Sequence, residues 1–155
     1  MKLHLKQKVF SLFDRYNIFD ENENTVYKVK GELSFGHLLR IYDETDNELG
    51  FIKEKPFHLF ERYILNVGSV EYILRKEFTL IKEVFNIKKL GIEVFGDFWD
   101  WNYEIKRHEE VIARVSRKLS FTDVYELDIK NNDDALLVLE IVLAIDILHC
   151  NSGGD

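Results

Sequence analysis

The chain has one cysteine, one proline and one methionine in 155 residues. A lone Cys150 cannot close an internal disulfide, so nothing ties the protein to an oxidising compartment. It also excludes a zinc site built from thiolates. With Pro56 alone, extended segments run without the breaks that proline imposes on central strands. Long hydrophobic runs are short in supply too. The best, Ala135 to Cys150, spans roughly 24 Å as a helix, and a membrane-spanning helix needs about twenty mostly apolar residues. Glu140 and Asp146 inside it make insertion costlier still. A basic excess is missing: the formal charge is −7. Nucleic acid is therefore not an expected partner. Adhesion to anionic membranes through net charge alone is disfavoured, which leaves a local basic patch open. The N-terminus MKLHLKQKVF lacks the continuous apolar core of a secretory signal, so the expected location is cytoplasmic, at most peripheral to a membrane.

What the chain does have is apolar bulk, 46% hydrophobic and 14% aromatic residues, which excludes a disordered polymer. One domain over residues 1–155 is expected. In Ala135 to Cys150, reading ALLVLEIVLAIDILHC, only Glu140, Asp146 and His149 interrupt the apolar residues, and they fall on different sides of a helix. A helix apolar nearly all round must be enclosed by protein. Asp133 or Asp134 suits its N-cap.

The rest of the sequence reads as strands rich in Val, Ile, Phe and Tyr between polar turns. They are Lys8 to Phe13, Arg15 to Phe19, Thr25 to Leu33, Leu38 to Tyr42, Leu49 to Lys55 and Glu61 to Val67. Val70 to Arg75, Phe78 to Ile87, Ile92 to Phe95, Asp100 to Lys106, Val111 to Lys118 and Asp123 to Ile129 follow. Trp101, Tyr103 and Ile105 alternate with Asn102, Glu104 and Lys106, the pattern of antiparallel strands with one buried and one wet face. Many one-sided strands need a common apolar partner, and the helix is one. The expected fold is mainly β, a closed antiparallel barrel of about twelve strands around a central C-terminal hydrophobic helix. Two packed sheets with the helix across one face would leave a helical side exposed. A weak internal repeat, Ile41 to Leu65 against Ile105 to Leu127, aligns Gly50 with Ala113, Lys55 with Lys118 and Tyr63 with Tyr125.

The opening KQKVFSLFDRYNIFDENENTVYKVKG, the strands GFIKEK and VIARVSRK, the stretch GDFWDWNYEI and the closing helix, in this order, resemble the LURP-one-related family of the tubby C-terminal-like superfamily. The resemblance implies a closed barrel of about a dozen strands around a C-terminal helix, the fold reached above from burial. The superfamily includes tubby proteins, which bind phosphoinositides through a basic surface patch, and phospholipid scramblases. The nearest basic residues here are Lys53, Lys55, Arg114, Arg117 and Lys118.

Motifs for chemistry are sparse. His4, His37, His58, His108 and His149 stand far apart, and no phosphate-cradling glycine loop or nucleophile elbow occurs, so neither cofactor nor metal is expected. Asp20 to Asn24 and Asp43 to Asn47 resemble calcium loops but lack the glycine at the sixth position, and read as solvated hairpin turns. Asp146 and His149, three apart, could form an acid–base pair at the barrel mouth. Glu140, in mid-helix, must find partners or protonate. Trp99 and Trp101 are candidates for a partner-binding patch. The expected function is non-enzymatic: a binding or regulatory module meeting a membrane phospholipid head group or a protein through its outer surface. A carrier barrel for small apolar ligands is the alternative, and requires the helix to lie outside or cap the mouth.

Overall fold

The computed structural model describes residues 1–6, 15–80, 82–118 and 124–151. The strands are β1 (Lys2–Leu5), β2 (Arg15–Phe19), β3 (Thr25–Ser34), β4 (Gly36–Tyr42), β5 (Glu48–Lys55) and β6 (Arg62–Val67). β7 (Val70–Phe78), β8 (Glu83–Ile87), β9 (Ile92–Asp97), β10 (Asn102–Arg107), β11 (Glu110–Lys118) and β12 (Val124–Ile129) complete the sheet, and the helix α1 covers Ala135–Asn151. Sequence neighbours pair antiparallel all the way round, and β1 closes the ring between β12 and β2. Closure leaves no edge among the described strands to recruit another.

Alternation decides which side chains go in. Tyr103 and Ile105 of β10, Ala113 and Val115 of β11, and Tyr125 and Leu127 of β12 are all buried, while Glu104 and Arg114 stay outside and bond to each other. The inward residues close on α1. Every residue from Leu137 to Leu148 is at most 5% exposed, so the helix is wrapped on all sides. Each fully buried Leu, Ile or Val there contributes about 2 kcal/mol of transfer free energy.

Because the strands alternate in direction, the barrel has two distinct ends. The connections β2–β3, β4–β5, β6–β7, β8–β9, β10–β11 and β12–α1 gather at one end, here the turn end. The connections β3–β4, β5–β6, β7–β8 and β9–β10 gather at the other, here the rim. α1 enters at the turn end and finishes at the rim, where His149 meets Trp99.

Several local expectations are corrected. Asp133 and Asp134 do not cap α1. Asn131 accepts from the Asp133 N–H at 3.0 Å and caps a short 3-10 turn, Asn132–Asp134, that leads into the helix. Asp134 instead receives two bonds from Arg107, at 2.8 and 3.2 Å. Phe78 to Ile87 is not one strand, because the Thr79 N–H and hydroxyl both bond to the Lys82 carbonyl and turn the chain there. β10 starts at Asn102 rather than Asp100, since Asp97 accepts from the N–H groups of Trp99 and Asp100 and holds a turn ahead of it. β1 was not expected and forms the seam of the barrel. The expected strand Lys8 to Phe13 lies outside the described residues.

The calcium-like segments are hairpin turns. Asp20 accepts from the N–H groups of Asn22 and Asn24, and Asp43 from those of Thr45 and Asn47. Bonds from Asn47 and Thr45 hold the Asp43 carboxyl down at about 2. The internal repeat is structural as well. Gly50 faces Ile41 and Ala113 faces Ile105, and the pairing slips by one residue just after each. β5 and β11 therefore occupy opposite walls of the ring.

Candidate functional site

That twofold arrangement splits the basic residues read from the sequence. Lys53 and Lys55 lie on β5, and Arg114, Arg117 and Lys118 lie on β11 across the barrel. The β11 group is largely neutralised: Arg114 donates to Glu104 at 2.9 Å, and Lys118 pairs with Glu126. Trp101 is 7% exposed and stacks on Tyr125 with ring centres 3.9 Å apart, so it is part of the core and not a partner-binding ring. Trp99 is 65% exposed, with its ring set edge-on to His149 at 4.5 Å.

The β5 wall gains what the β11 wall lacks. Register sets Lys55 opposite Arg62 of β6, and Arg62 opposite Arg75 of β7. Lys53 is exposed on the same strand as Lys55. None of these four cations forms an ion pair with a described residue. Like charges placed directly opposite across strands are destabilising by a few tenths of a kcal/mol to about 1 kcal/mol. A row of three without an ion-pair partner among the described residues, with Glu77 of β7 near enough to feel the charge of Arg75, is an anion-binding arrangement in waiting.

Two outer-wall clefts are less suited. One of about 300 Å³ between β2, β3 and β4 is lined by Arg15, Asn17, Lys28, Lys30, Tyr42 and Asp46. Its lysines are already engaged: Lys28 donates to Asp46 at 2.9 Å, and Lys30 lies 3.6 Å from Glu32. The other, about 350 Å³, sets Glu77, Glu93 and Glu109 against Lys88 and Lys106, so its charges offset one another.

The helix carries the remaining candidates. Glu140 is fully buried, and burial drives its carboxyl up to about 9, so it is protonated at neutral pH. Asp146 is buried and does not bond His149, whose ring nitrogens have no partner among the described residues. Its charge is instead felt by Tyr16 and Tyr103, whose hydroxyls burial already pushes well above their ordinary value. Burial lowers the His149 pKa, with Phe98 stacked near it at 6.1 Å. The three groups do not assemble into an acid–base constellation.

A family model described as LURP-one-related matches residues 1–146. The chain belongs to the LURP-one-related family. The uncharacterized protein YxjI of Bacillus subtilis (strain 168) is 32% identical over 154 residues, covering 97% of this chain and 95% of that protein. The X-ray structure of a protein from Arabidopsis thaliana superposes with a TM-score of 0.66 at 18% identity, over 95% of this chain and 90% of that one, and shows the same fold.

In this LURP-one-related chain, Arg62 and Arg75 are the cations that sequence reading missed. They lie on separate strands, so no local pattern joins them to Lys55. The available signal was hairpin register: folding Lys55 to Val67 and Arg62 to Arg75 about their turns brings the three into line.

Proposed function

We propose that the protein is not an enzyme but a binding module, working from the outside of the barrel at the cytoplasmic face of a membrane. Its ligand on this reading is a phosphate-bearing phospholipid head group, held by Lys55, Arg62 and Arg75 with Lys53 beside them. The observation that carries this is the cross-strand row of cations without ion-pair partners, in a chain whose formal charge is −7. Guanidinium groups match phosphate oxygens in paired geometry, and lysine adds a point charge. The buried helix supports a role for the outer surface, since the space a carrier would offer an apolar ligand is taken by Leu137 to Leu148. The carrier alternative needed that helix outside or across the mouth, and it is inside. No helix among the described residues is long and apolar enough to cross a membrane.

Sedimentation with phosphatidylcholine vesicles, with and without a phosphoinositide, tests the proposal. The full chain should bind the phosphoinositide vesicles more tightly, with an advantage that shrinks as salt is raised. Arg62→Gln with Arg75→Gln should remove that advantage. Equal binding to both vesicle types by the unaltered chain contradicts it.

A further inference from the structure

The rim differs from the turn end in a way that the head-group proposal does not use. Phe35 stands exposed in the β3–β4 connection, Phe57 is 86% and Leu59 91% exposed in β5–β6, and Phe60 lies beside them. Phe78 closes β7 with its ring exposed, Leu80 is fully exposed in β7–β8, and Trp99 is exposed in β9–β10. Every one of these large apolar side chains is at the rim, and the turn end has Val70 alone among the described residues. They are also joined across the connections: Phe35 and Phe57 have ring centres 5.4 Å apart, and Phe60 and Phe78 6.1 Å. Hydration disfavours so large an apolar surface on a soluble domain unless something covers it.

The turns at the other end carry Asp20, Glu21 and Glu23, then Asp43, Glu44 and Asp46, then Glu109, and Asp133, together with Lys88, Lys89 and Lys130. The row Lys55, Arg62 and Arg75 lies immediately behind the connections β5–β6 and β7–β8, and exposed Lys82 sits within the latter. Lys76, 4.8 Å over the Phe78 ring, is buried and paired with Glu83 at 3.2 Å, so it holds the rim together and is not part of the free row. The rim also carries Glu61, Glu77, Glu83, Asp97 and Asp100, so the cations that back the apolar tips have acids among them. Apolar tips backed by the row Lys55, Arg62 and Arg75 match a bilayer surface, where acyl chains lie below phosphates.

We infer that the rim inserts into the interface of a lipid bilayer, the tips of β3–β4, β5–β6, β7–β8 and β9–β10 entering among the acyl chains while α1 stands along the membrane normal with its C-terminal end towards the lipid. A lipid surface fits better than a protein groove because the apolar side chains are spread over four connections around the rim, in small groups such as Phe35 with Phe57 and Phe60 with Phe78. A fluid layer seats such groups individually, whereas a protein partner would need matching pits. Interfacial helices insert by the same logic, with apolar groups below and cations at the phosphates. This rests on the head-group reading for the depth at which the cations sit, and adds an apolar component that does not depend on lipid charge.

The test uses the full chain with vesicles of phosphatidylcholine, alone or with a phosphoinositide, and reads both sedimentation and tryptophan fluorescence. Leu59→Ser with Leu80→Ser changes two exposed side chains that touch no core residue, so the fold is retained, and circular dichroism checks this. Vesicle affinity of the double variant should fall at least about tenfold on both vesicle types. The Trp99 emission should shift to the blue on vesicles and be quenched by lipids brominated in the acyl chain, with buried Trp101 as constant background and Trp99→Phe abolishing the change. Serine variants that bind like the unaltered chain, or a Trp99 untouched by the quencher, overturn insertion. The head-group reading survives that result if Arg62→Gln with Arg75→Gln still loses the phosphoinositide advantage, and falls separately if it does not. A dimer in analytical ultracentrifugation that the serine changes dissociate, with no vesicle binding, assigns the rim to a second copy and also overturns the inference.

Discussion

Glu140 lies against Gly50, so close that a Cβ on the glycine would stand 2.5 Å from its Oε1 and 1.9 Å from the Asn66 carbonyl oxygen. No described group donates to either carboxyl oxygen, as an ionised carboxylate would require. A protonated acid fits the site instead, and burial holds it in that form.

The sign of the pH effect follows. The folded Glu140 pKa is raised from 4.5 to about 9, so its contribution to stability is whole below the ordinary value and is lost as pH rises through the interval between them. Denaturant titrations at pH 5 and pH 8 should show the unaltered protein losing about 3 kcal/mol, an order-of-magnitude figure, over that span. Glu140→Gln should flatten this dependence whatever its own stability. An unchanged pH slope in the variant contradicts the assignment.

Gly50→Ala should destabilise by about 3 kcal/mol, because the added methyl meets backbone as well as side chain. Adding Glu140→Ala should not restore the loss, since the Asn66 carbonyl remains in place. Rescue by the double substitution, measured by denaturant midpoint, would show the carboxyl to be the whole obstacle.

At the seam, Glu126 behaves in the opposite sense. Burial by itself would raise its pKa, but bonds from Lys118, His4 and Lys2 outweigh that and bring it from 4.5 to about 2. Its stabilisation is present above the ordinary value and is lost as pH falls towards 2. Because Lys2 and Lys118 are largely solvated, the contribution is about 1 to 2 kcal/mol. Glu126→Gln should lower the melting temperature at pH 7 and leave it unchanged near pH 2.

Contrast between the two kinds of leucine tests where apolar groups matter. Leu143, fully buried in α1, should cost about 3 kcal/mol when changed to Ala. Leu80, fully exposed at the rim, should change stability by less than about 0.5 kcal/mol. A comparable loss at both positions, by thermal denaturation, would place Leu80 in a folded contact and deny the rim its free surface.

The helix was legible in the sequence because a segment apolar on every side has one soluble resting place, and the barrel followed from strands such as Tyr103 to Ile105 that could bury a single face. β1 was not, since Lys2 to Leu5 is too short for its alternation to stand out among lysines. The break at Thr79 was hidden because Leu80 and Ile81 continue an apolar pattern, and a hydroxyl-to-carbonyl bond decides the turn. Lys53 and Lys55 came from the family resemblance, as the nearest basic residues to the patch it implies, but their partners Arg62 and Arg75 depend on register between strands. The repeat that aligned Lys55 with Lys118 contained the correction as well, because two copies of a half-barrel put matching residues on opposite walls.

Hydrogen exchange of the α1 amides under native conditions tests the enclosed helix most directly. The helix-centred barrel predicts that amides from Leu137 to Leu148 exchange only with global unfolding, among the slowest in the protein. Rapid exchange along α1 while the amides of β5 and β11 stay protected would contradict it, placing the helix outside a barrel that stands without it.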